Sequence, residues 1–480
     1  MKLKSDDYRN KVFKAGFGYT IGNYLIKGLS FLSLPLFTRM MNTSDYGIYN
    51  SFCAYSGFLY VIVGFAIHSS YRNAELKYQP KTKYYSYITT TMILLLFNLL
   101  VSSLVCIPIG KIIGDILGLD LQSVYLLLIY SFSLAVITCF NAYSSVEYKY
   151  RAFLCIAGAN AISSILLSMF LIKFVFRSNS YMGRTLGTVI PSVVLSIIIV
   201  FYFLKQSRPK FANVKPFLKW GIKYSLPIIP HGISQIILAQ FDRIMILKII
   251  SSSIAGLYSF AYNILSVAIV TTNSLDNVWA TWLYEKIKIG DKISIRKYST
   301  IYAGCILAYF VLIMLISPEL VKILAPDVYY DSIYSVIPLI TGGYFSFLYT
   351  LPAAVEYYYE KTSFIMIGTF FAAIFNVLLN LIFLKKYGYI AASYNTLITY
   401  VAYFALHFYF SKKVSRCNYF STRYLVVFCI IILLANFCVL SLINFIWIRL
   451  SLACVITFVS IYYEEKNIGI MKKIIKKVWI

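Results

Sequence analysis

The sequence predicts an all-α polytopic membrane protein with about 14 transmembrane helices, and three observations carry that prediction. Of the 480 residues, 60% are hydrophobic and only 13% are charged, where a water-soluble domain carries about 25% charged residues. Apolar runs long enough to cross a bilayer, about 20 residues each, recur along the whole chain between charged clusters. Few of them alternate with the period of two that a barrel requires. The net charge is +26, from 44 Lys and Arg against 18 Asp and Glu, and these cations gather in alternate segments between the runs.

In chain order the runs are 16–40, 47–69, 87–110, 122–144, 152–174, 184–204, 222–247, 254–278, 299–317, 333–354, 363–384, 389–410, 423–443 and 445–463. The basic N-terminal stretch MKLKSDDYRNKVFK leads into the first run with no small-x-small cleavage site, so it reads as an uncleaved first helix. Arg449 and a few neighbours are all that divide the last two runs. An even number of spans puts both termini on one side. The segments on that side hold 32 of the 44 Lys and Arg, the opposite side holds 10, and Lys27 and Arg243 lie inside runs. Cytoplasmic loops collect Lys and Arg, so both termini are expected in the cytoplasm, with the chain in the cytoplasmic (inner) membrane. The same bias accounts for the net charge without a nucleic-acid partner. The tail KNIGIMKKIIKKVWI fits a basic amphipathic helix on the inner leaflet.

The longest basic connection, 205–221, holds Pro209 and Pro216 and is expected to be a cytoplasmic linker between two halves. It would separate an N-terminal six-helix lobe (1–204) from a C-terminal one (222–410), with two extra helices and the basic tail over 411–480. Weak internal similarity supports a duplication. SDYGIYNSF (44–52) resembles SIAGLYSFA (253–261), aligning Gly47 with Gly256 and Tyr49 with Tyr258. EYKYRAFLCIAG (147–158) resembles YYYEKTSFIMIG (357–368), and SYMGRTLGT (180–188) is placed as KKYGYIAAS (385–393) is. Transporters are often built from such repeats, with the substrate bound between them.

The chemistry that soluble enzymes advertise is missing. There is no G-x-S-x-G, Walker A or H-E-x-x-H motif, so no enzymatic activity is predicted. The nine Cys (53, 106, 139, 155, 305, 417, 429, 438 and 454) form no C-x-x-C, and only three His accompany them. Neither a zinc site nor a disulfide framework is expected.

Charges inside apolar runs are the candidate functional residues, because an ionisable group at mid-bilayer costs about 2.5–3.5 kcal/mol on insertion scales and faces a cavity or a partner. Thr20, Asn23, Lys27 and Ser30 share one face of the first run, and Arg39 lies beyond Pro35. Lys27 lies too deep for easy snorkelling. His68 and Arg72 form an i,i+4 pair that suits the interface as well as a cavity. In IILAQFDRIMILKII (236–250), Asp242 and Arg243 interrupt an otherwise greasy stretch. Adjacent helical residues stand roughly 100° apart, so the two cannot simply face each other. Asp242 instead shares a line with His231 and Gln235, leaving Arg243 to a neighbouring helix, a headgroup or a substrate. Asn263, Ser266, Asn273, Asp276 and Asn277 line one side of the eighth run, where helix-packing hydrogen bonds are the competing explanation.

Four stretches together resemble the oligosaccharide flippases of the polysaccharide-transport branch of the multidrug/oligosaccharidyl-lipid/polysaccharide exporter superfamily. They are GYTIGNYLIKGLSFLSLPLFTRMMNTSDYGIYN (18–50), KYSLPIIPHGISQIILAQFDRIMIL (223–247), IAGLYSFAYNI (254–264) and GYIAASYNTLITY (388–400). The resemblance implies two six-helix lobes around a central cavity plus two C-terminal helices. It implies alternating-access movement of an undecaprenyl-pyrophosphate-linked oligosaccharide to the outer leaflet, for O-antigen or capsule. It implies no cofactor beyond proton or sodium coupling. The partners implied are the lipid bilayer, a polysaccharide polymerase and chain-length machinery. Lys27, Arg39, Arg72, Arg243 and Asn273 are then the substrate-binding candidates, and Asp242, Asp276 and His231 the ion-coupling ones. A multidrug/cation antiporter of the same superfamily is the alternative, and a membrane polysaccharide polymerase a weaker one.

Overall fold

The structure is a computed structural model that describes residues 18–19, 21–207 and 211–467, with side chains over the same ranges except at 211, 277 and 460–467. The expected amphipathic tail, Thr20 and the Asn277 side chain therefore lie outside the described residues. Among these residues every regular element is helical, and each of the 14 predicted runs falls largely on helix where it is described.

The first run is two helices, α1 (21–32) and α2 (Leu34–Met40), broken at Ser33 just before Pro35. Proline favours such a restart because its ring removes a donor and fits the first helical turn. Then come α3 (Thr43–Val63), α4 (Tyr71–Lys77), α5 (Lys81–Leu117), α6 (Leu121–Val146), α7 (Tyr150–Phe170) and α8 (Ser180–Gln206). The basic connection contains α9 (Phe211–Ser225), followed by α10 (Ile229–Ile249) and α11 (Ser252–Lys288). The rest is α12 (Lys292–Leu324), α13 (Ile333–Leu348), α14 (Thr350–Tyr358), α15 (Thr362–Tyr387), α16 (Tyr389–Ser415), α17 (Thr422–Ser441) and α18 (Ile446–Asn467).

Among the described residues nine helices are long and apolar enough to span a membrane, or ten if α3 and the segment continuing to Lys77, bent by 53°, make one span. The chain is a multi-pass membrane protein. α10 and α16 have the length but not the apolarity, since α10 carries His231, Asp242, Arg243 and Lys248, and α16 a series of Asn, Thr and Tyr. Several helices overrun their apolar cores: α5 and α11 have 37 residues each and α12 has 33. Extending an existing helix adds one hydrogen bond per residue fixed, so helix continues past the bilayer into the flanking Lys and Tyr.

The chain divides into two compact units, 1–256 and 257–480. In the first, α3 packs on α6, α8 and α10. Its core joins Phe52, Tyr55, Leu127, Tyr130 and Ile244. A second cluster, around Tyr71, Tyr84, Tyr87, Tyr143 and Phe203, takes in Phe217 and Trp220 of α9. The basic connection is thus docked against this unit. α3 also meets the chain at 252–256 with no room to spare. A Cβ on Gly47 would lie 2.0 Å from the Ser252 carbonyl oxygen, and one on Gly256 would lie 2.1 Å from that of Thr43. These are the two glycines that the internal similarity aligns, and Ser44 and Ser252 hydroxyls lie 2.7 Å apart beside them.

In the second unit, α13 is the central helix, packed by α12, α16 and α17. Fourteen of its 16 residues are buried, so it keeps no lipid-facing stripe. α5 of the first unit is the opposite case, exposing Phe97, Leu100, Leu104, Ile107 and Ile116 in a row that hydrocarbon would cover.

Candidate functional site

Asp242 and Arg243 are both buried, at 3% and 7% exposure. The sequence suggests one inward charge and one near headgroups, but residues 242–246 are buried without a break. α10 is enclosed on all sides at this level, so a separation of roughly 100° carries neither group out of the protein. α3 supplies much of the enclosure, and Phe58 meets Phe241 edge-on at 5.7 Å. Arg243 lies within electrostatic reach of Cys53 on α3.

Arg184 on α8 reaches the same cysteine. Its guanidinium stacks 3.6 Å from the centre of the Phe37 ring and 4.9 Å from that of Tyr49, and its Nη1 donates to Ser168 Oγ at 2.8 Å. Arg184 is not among the sequence-predicted site residues. It lies on the first turns of α8, and SYMGRTLGT offers a signal in hindsight: small Gly183 and Gly187 let α7 come close, with Gly187 seated on Ser168. Asp45 anchors the start of α8, accepting from Ser180 N at 3.0 Å and from the Ser180 hydroxyl. Two guanidiniums from different helices thus lie within electrostatic reach of one cysteine of the first unit. Such planar forks suit phosphate oxygens.

The other predicted residues are dispersed. Lys27, Arg39 and Arg72 are exposed on α1, α2 and α4, and Arg39 Nη1 donates to the Pro35 carbonyl of its own helix at 3.2 Å. His231 is half-buried in the first turn of α10, after a 3-10 turn at Leu226–Ile228. Asn273 is exposed on α11.

Asp276 is the predicted coupling residue in the second unit. It accepts hydrogen bonds from Tyr302 of α12 at 3.2 Å and Thr350 of α14 at 3.1 Å. Trp279 stacks on Tyr302 with ring centres 5.0 Å apart, and Tyr302 meets Phe347 edge-on at 5.1 Å. A carboxyl half-buried beside aromatic faces can bind a cation or carry a proton.

Two pairs in this unit, one wholly and one partly buried, escaped the sequence reading. Arg449 is 1% exposed and forms a bidentate pair with Glu319 of α12 at 2.5 and 2.6 Å. Its remaining donors go to the carbonyls of Leu315, Leu442 and Ile443. His407 of α16 and Glu356 of α14, both 0% exposed, meet at 2.8 Å through Nδ1 and Oε1. Partners 51 and 130 residues apart leave no local spacing to read. Among the described residues no group of three or more His, Cys, Asp and Glu gathers as a metal site.

The comparisons with known proteins fit this architecture. Residues 12–279 match the family described as polysaccharide biosynthesis protein. No curated protein sequence matches. The fold is similar to the lipid II flippase MurJ in an inward closed conformation, at 14% identity and TM-score 0.66, covering 94% of this chain and 99% of that one. It is also similar to an outward-facing multidrug resistance transporter of the MATE family (15% identity, TM-score 0.54, covering 85% and 96%). A third likeness is to a point mutant of the Vibrio cholerae MATE transporter VcmN (11% identity, TM-score 0.56, covering 87% and 99%). With more than half of its residues matched, the chain belongs to the polysaccharide biosynthesis protein family.

Proposed function

We propose that the protein moves undecaprenyl-pyrophosphate-linked oligosaccharide units from the inner to the outer leaflet of the cytoplasmic membrane. It would do so by alternating access, coupled to protons or sodium, for O-antigen or capsule assembly. The observation that carries this reading is the family match joined to the guanidiniums of half-buried Arg184 and buried Arg243, a chemistry suited to a lipid diphosphate. In this reading six-helix lobes at 1–204 and 222–410 flank a central cavity, 205–221 links them, and 411–480 adds two helices and a tail. Lys27, Arg39, Arg72, Arg243 and Asn273 meet the diphosphate and sugars. Asp242, Asp276 and His231 serve the coupling ion. A polymerase and chain-length machinery take the flipped product on the outer side, and both termini stay in the cytoplasm.

Purified protein in liposomes tests this. Movement of a fluorescent polyprenyl-diphosphate oligosaccharide is the expected result; movement of cationic dyes in its place would overturn it. Lys27→Ala is expected to lower surface polysaccharide at equal membrane expression, and undiminished polysaccharide would remove Lys27 from the site. One observation favours a second reading, a cation antiporter. Asp276 stands among Trp279, Tyr302 and Phe347, walls that suit an organic cation. Dye transport abolished by Asp276→Asn would select it.

A further inference from the structure

The His407–Glu356 pair has a property that distinguishes it from a structural ion pair. Both side chains are fully enclosed, yet Glu356 Oε2 and His407 Nε2 find no hydrogen-bond partner among the described residues. Buried polar groups are nearly always satisfied, and a half-satisfied buried network costs stability. The second unit shows the satisfied alternative in Arg449, whose five hydrogen bonds match the five donors of a guanidinium. A pair retained with two idle polar atoms invites a reason beyond packing.

The surroundings are aromatic and nearly uncharged. From the junction of α13 and α14 comes Tyr349, 5.6 Å from the His407 ring, and from the end of α14 comes Tyr357, which senses Glu356. From α15 come Gly368, where an added Cβ would lie 2.6 Å from Nε2, and Thr369, 3.0 Å from the Tyr403 hydroxyl. From α16 itself come Tyr403, edge-on at 4.6 Å, and Phe410 at 6.2 Å. The nearby cations turn elsewhere: Lys412 lies over Phe408 and donates to Thr422, and Lys413 lies over Phe364. Asp276 interacts with Tyr349 rather than with the pair. In such an enclosure the state with one proton in the Nδ1–Oε1 hydrogen bond has zero net charge. Removing that proton leaves one uncompensated negative charge, adding another leaves a positive one, and both are expensive to bury.

We propose that the His407–Glu356 pair is a proton-binding site of the transport cycle. It holds one proton in this enclosed structure and releases it to cytoplasmic water when the contact between α14 and α16 opens. The proton leaves the Nδ1–Oε1 hydrogen bond for a water molecule, giving hydronium, a glutamate anion and a neutral imidazole. Glu356 lies two residues before the end of α14 at Tyr358, close to Lys361, on the side that the charge bias assigns to the cytoplasm. Because the exposed and enclosed states differ in proton affinity, proton binding and helix packing are thermodynamically linked. The inference rests on the transport reading for its purpose, though not for its chemistry.

Two experiments separate these. The chain has three His, so the full-length protein labelled with 15N-histidine gives three ring systems, and His407→Asn identifies one. Across a pH series the His407 ring signals are expected to report loss of the shared proton, and Glu356→Gln, which has no carboxyl proton to give up, is expected to change that response. A His407 ring that keeps one state throughout, in wild type and Glu356→Gln alike, overturns the proposal. In liposomes, a pH gradient is expected to accelerate movement of the polyprenyl-diphosphate probe in wild type. Glu356→Gln and His407→Asn should each lose that acceleration and keep gradient-independent exchange. Retained acceleration in both variants overturns the coupling role. A probe that wild type never moves counts against the flippase reading, and the His407 titration still decides the proton site.

Discussion

Two pairs in the same unit, one partly and one wholly buried, teach different lessons about charge inside a membrane protein. Arg449–Glu319 joins α18 to α12 with every guanidinium donor used, and arginine does not deprotonate in proteins. It acts as a fixed staple holding the last helix on the unit. His407–Glu356 joins α16 to α14 through one hydrogen bond between two groups that can each change charge. The first arrangement resists a change of protonation, and the second permits one.

The largest effect that separates them is expected from Arg449→Met. It strands a partly buried carboxylate and removes the donors to three carbonyls, and breaking a buried pair costs about 3–5 kcal/mol. A steep loss of thermal stability in detergent would show it; a stability within experimental error of wild type would deny the staple. Combining Arg449→Met with Glu319→Leu should restore part of that loss, since replacing both partners is far less costly than orphaning one. An intermediate effect is expected from Glu356→Gln. The amide keeps a hydrogen bond to His407, so stability should change by about 1 kcal/mol, with the more telling change in pH dependence. A stability loss matching that of Arg449→Met would make the two pairs alike and the comparison empty.

The smallest effect is expected at the partly exposed pair Lys286–Asp291, 2.9 Å apart in the turn before α12. The hydrogen bond from Lys286, with that from Ser294 N, holds the Asp291 carboxyl down at about 2. A depressed carboxyl contributes stability above its unfolded value, lost as pH falls through the folded one. Asp291→Ala should therefore lower the thermal midpoint slightly at neutral pH, and the difference should vanish at strongly acid pH. A midpoint difference as large as that of Arg449→Met would contradict the weakness of solvent-accessible pairs.

The helices were legible because their signal is local. Each run of apolar residues is its own evidence of a span, and Pro35 marks the break between α1 and α2 in the letters themselves. The Asp242–Arg243 pair was equally visible, since two charges in a greasy run stand out in one dimension. Its surroundings were not. Placing one charge at a headgroup assumes a helix with a lipid face, and α3 removes that face. Arg184 and Arg449 lie near the ends of their runs in the letters, yet both are held within the protein, by Phe37, Tyr49 and Ser168 in one case and by Glu319 in the other.

Composition and charge placement alone determined that this is a helical multi-pass membrane protein, because burying backbone in hydrocarbon leaves helix as the local solution and the Lys and Arg of loops cannot hide. Tertiary structure alone decided which charges are paired, because pairing joins positions such as 319 with 449 and 356 with 407 that no periodicity connects. The cost of an isolated charge in a dry interior is what makes those distant pairings decisive, and it acts only once the helices have packed.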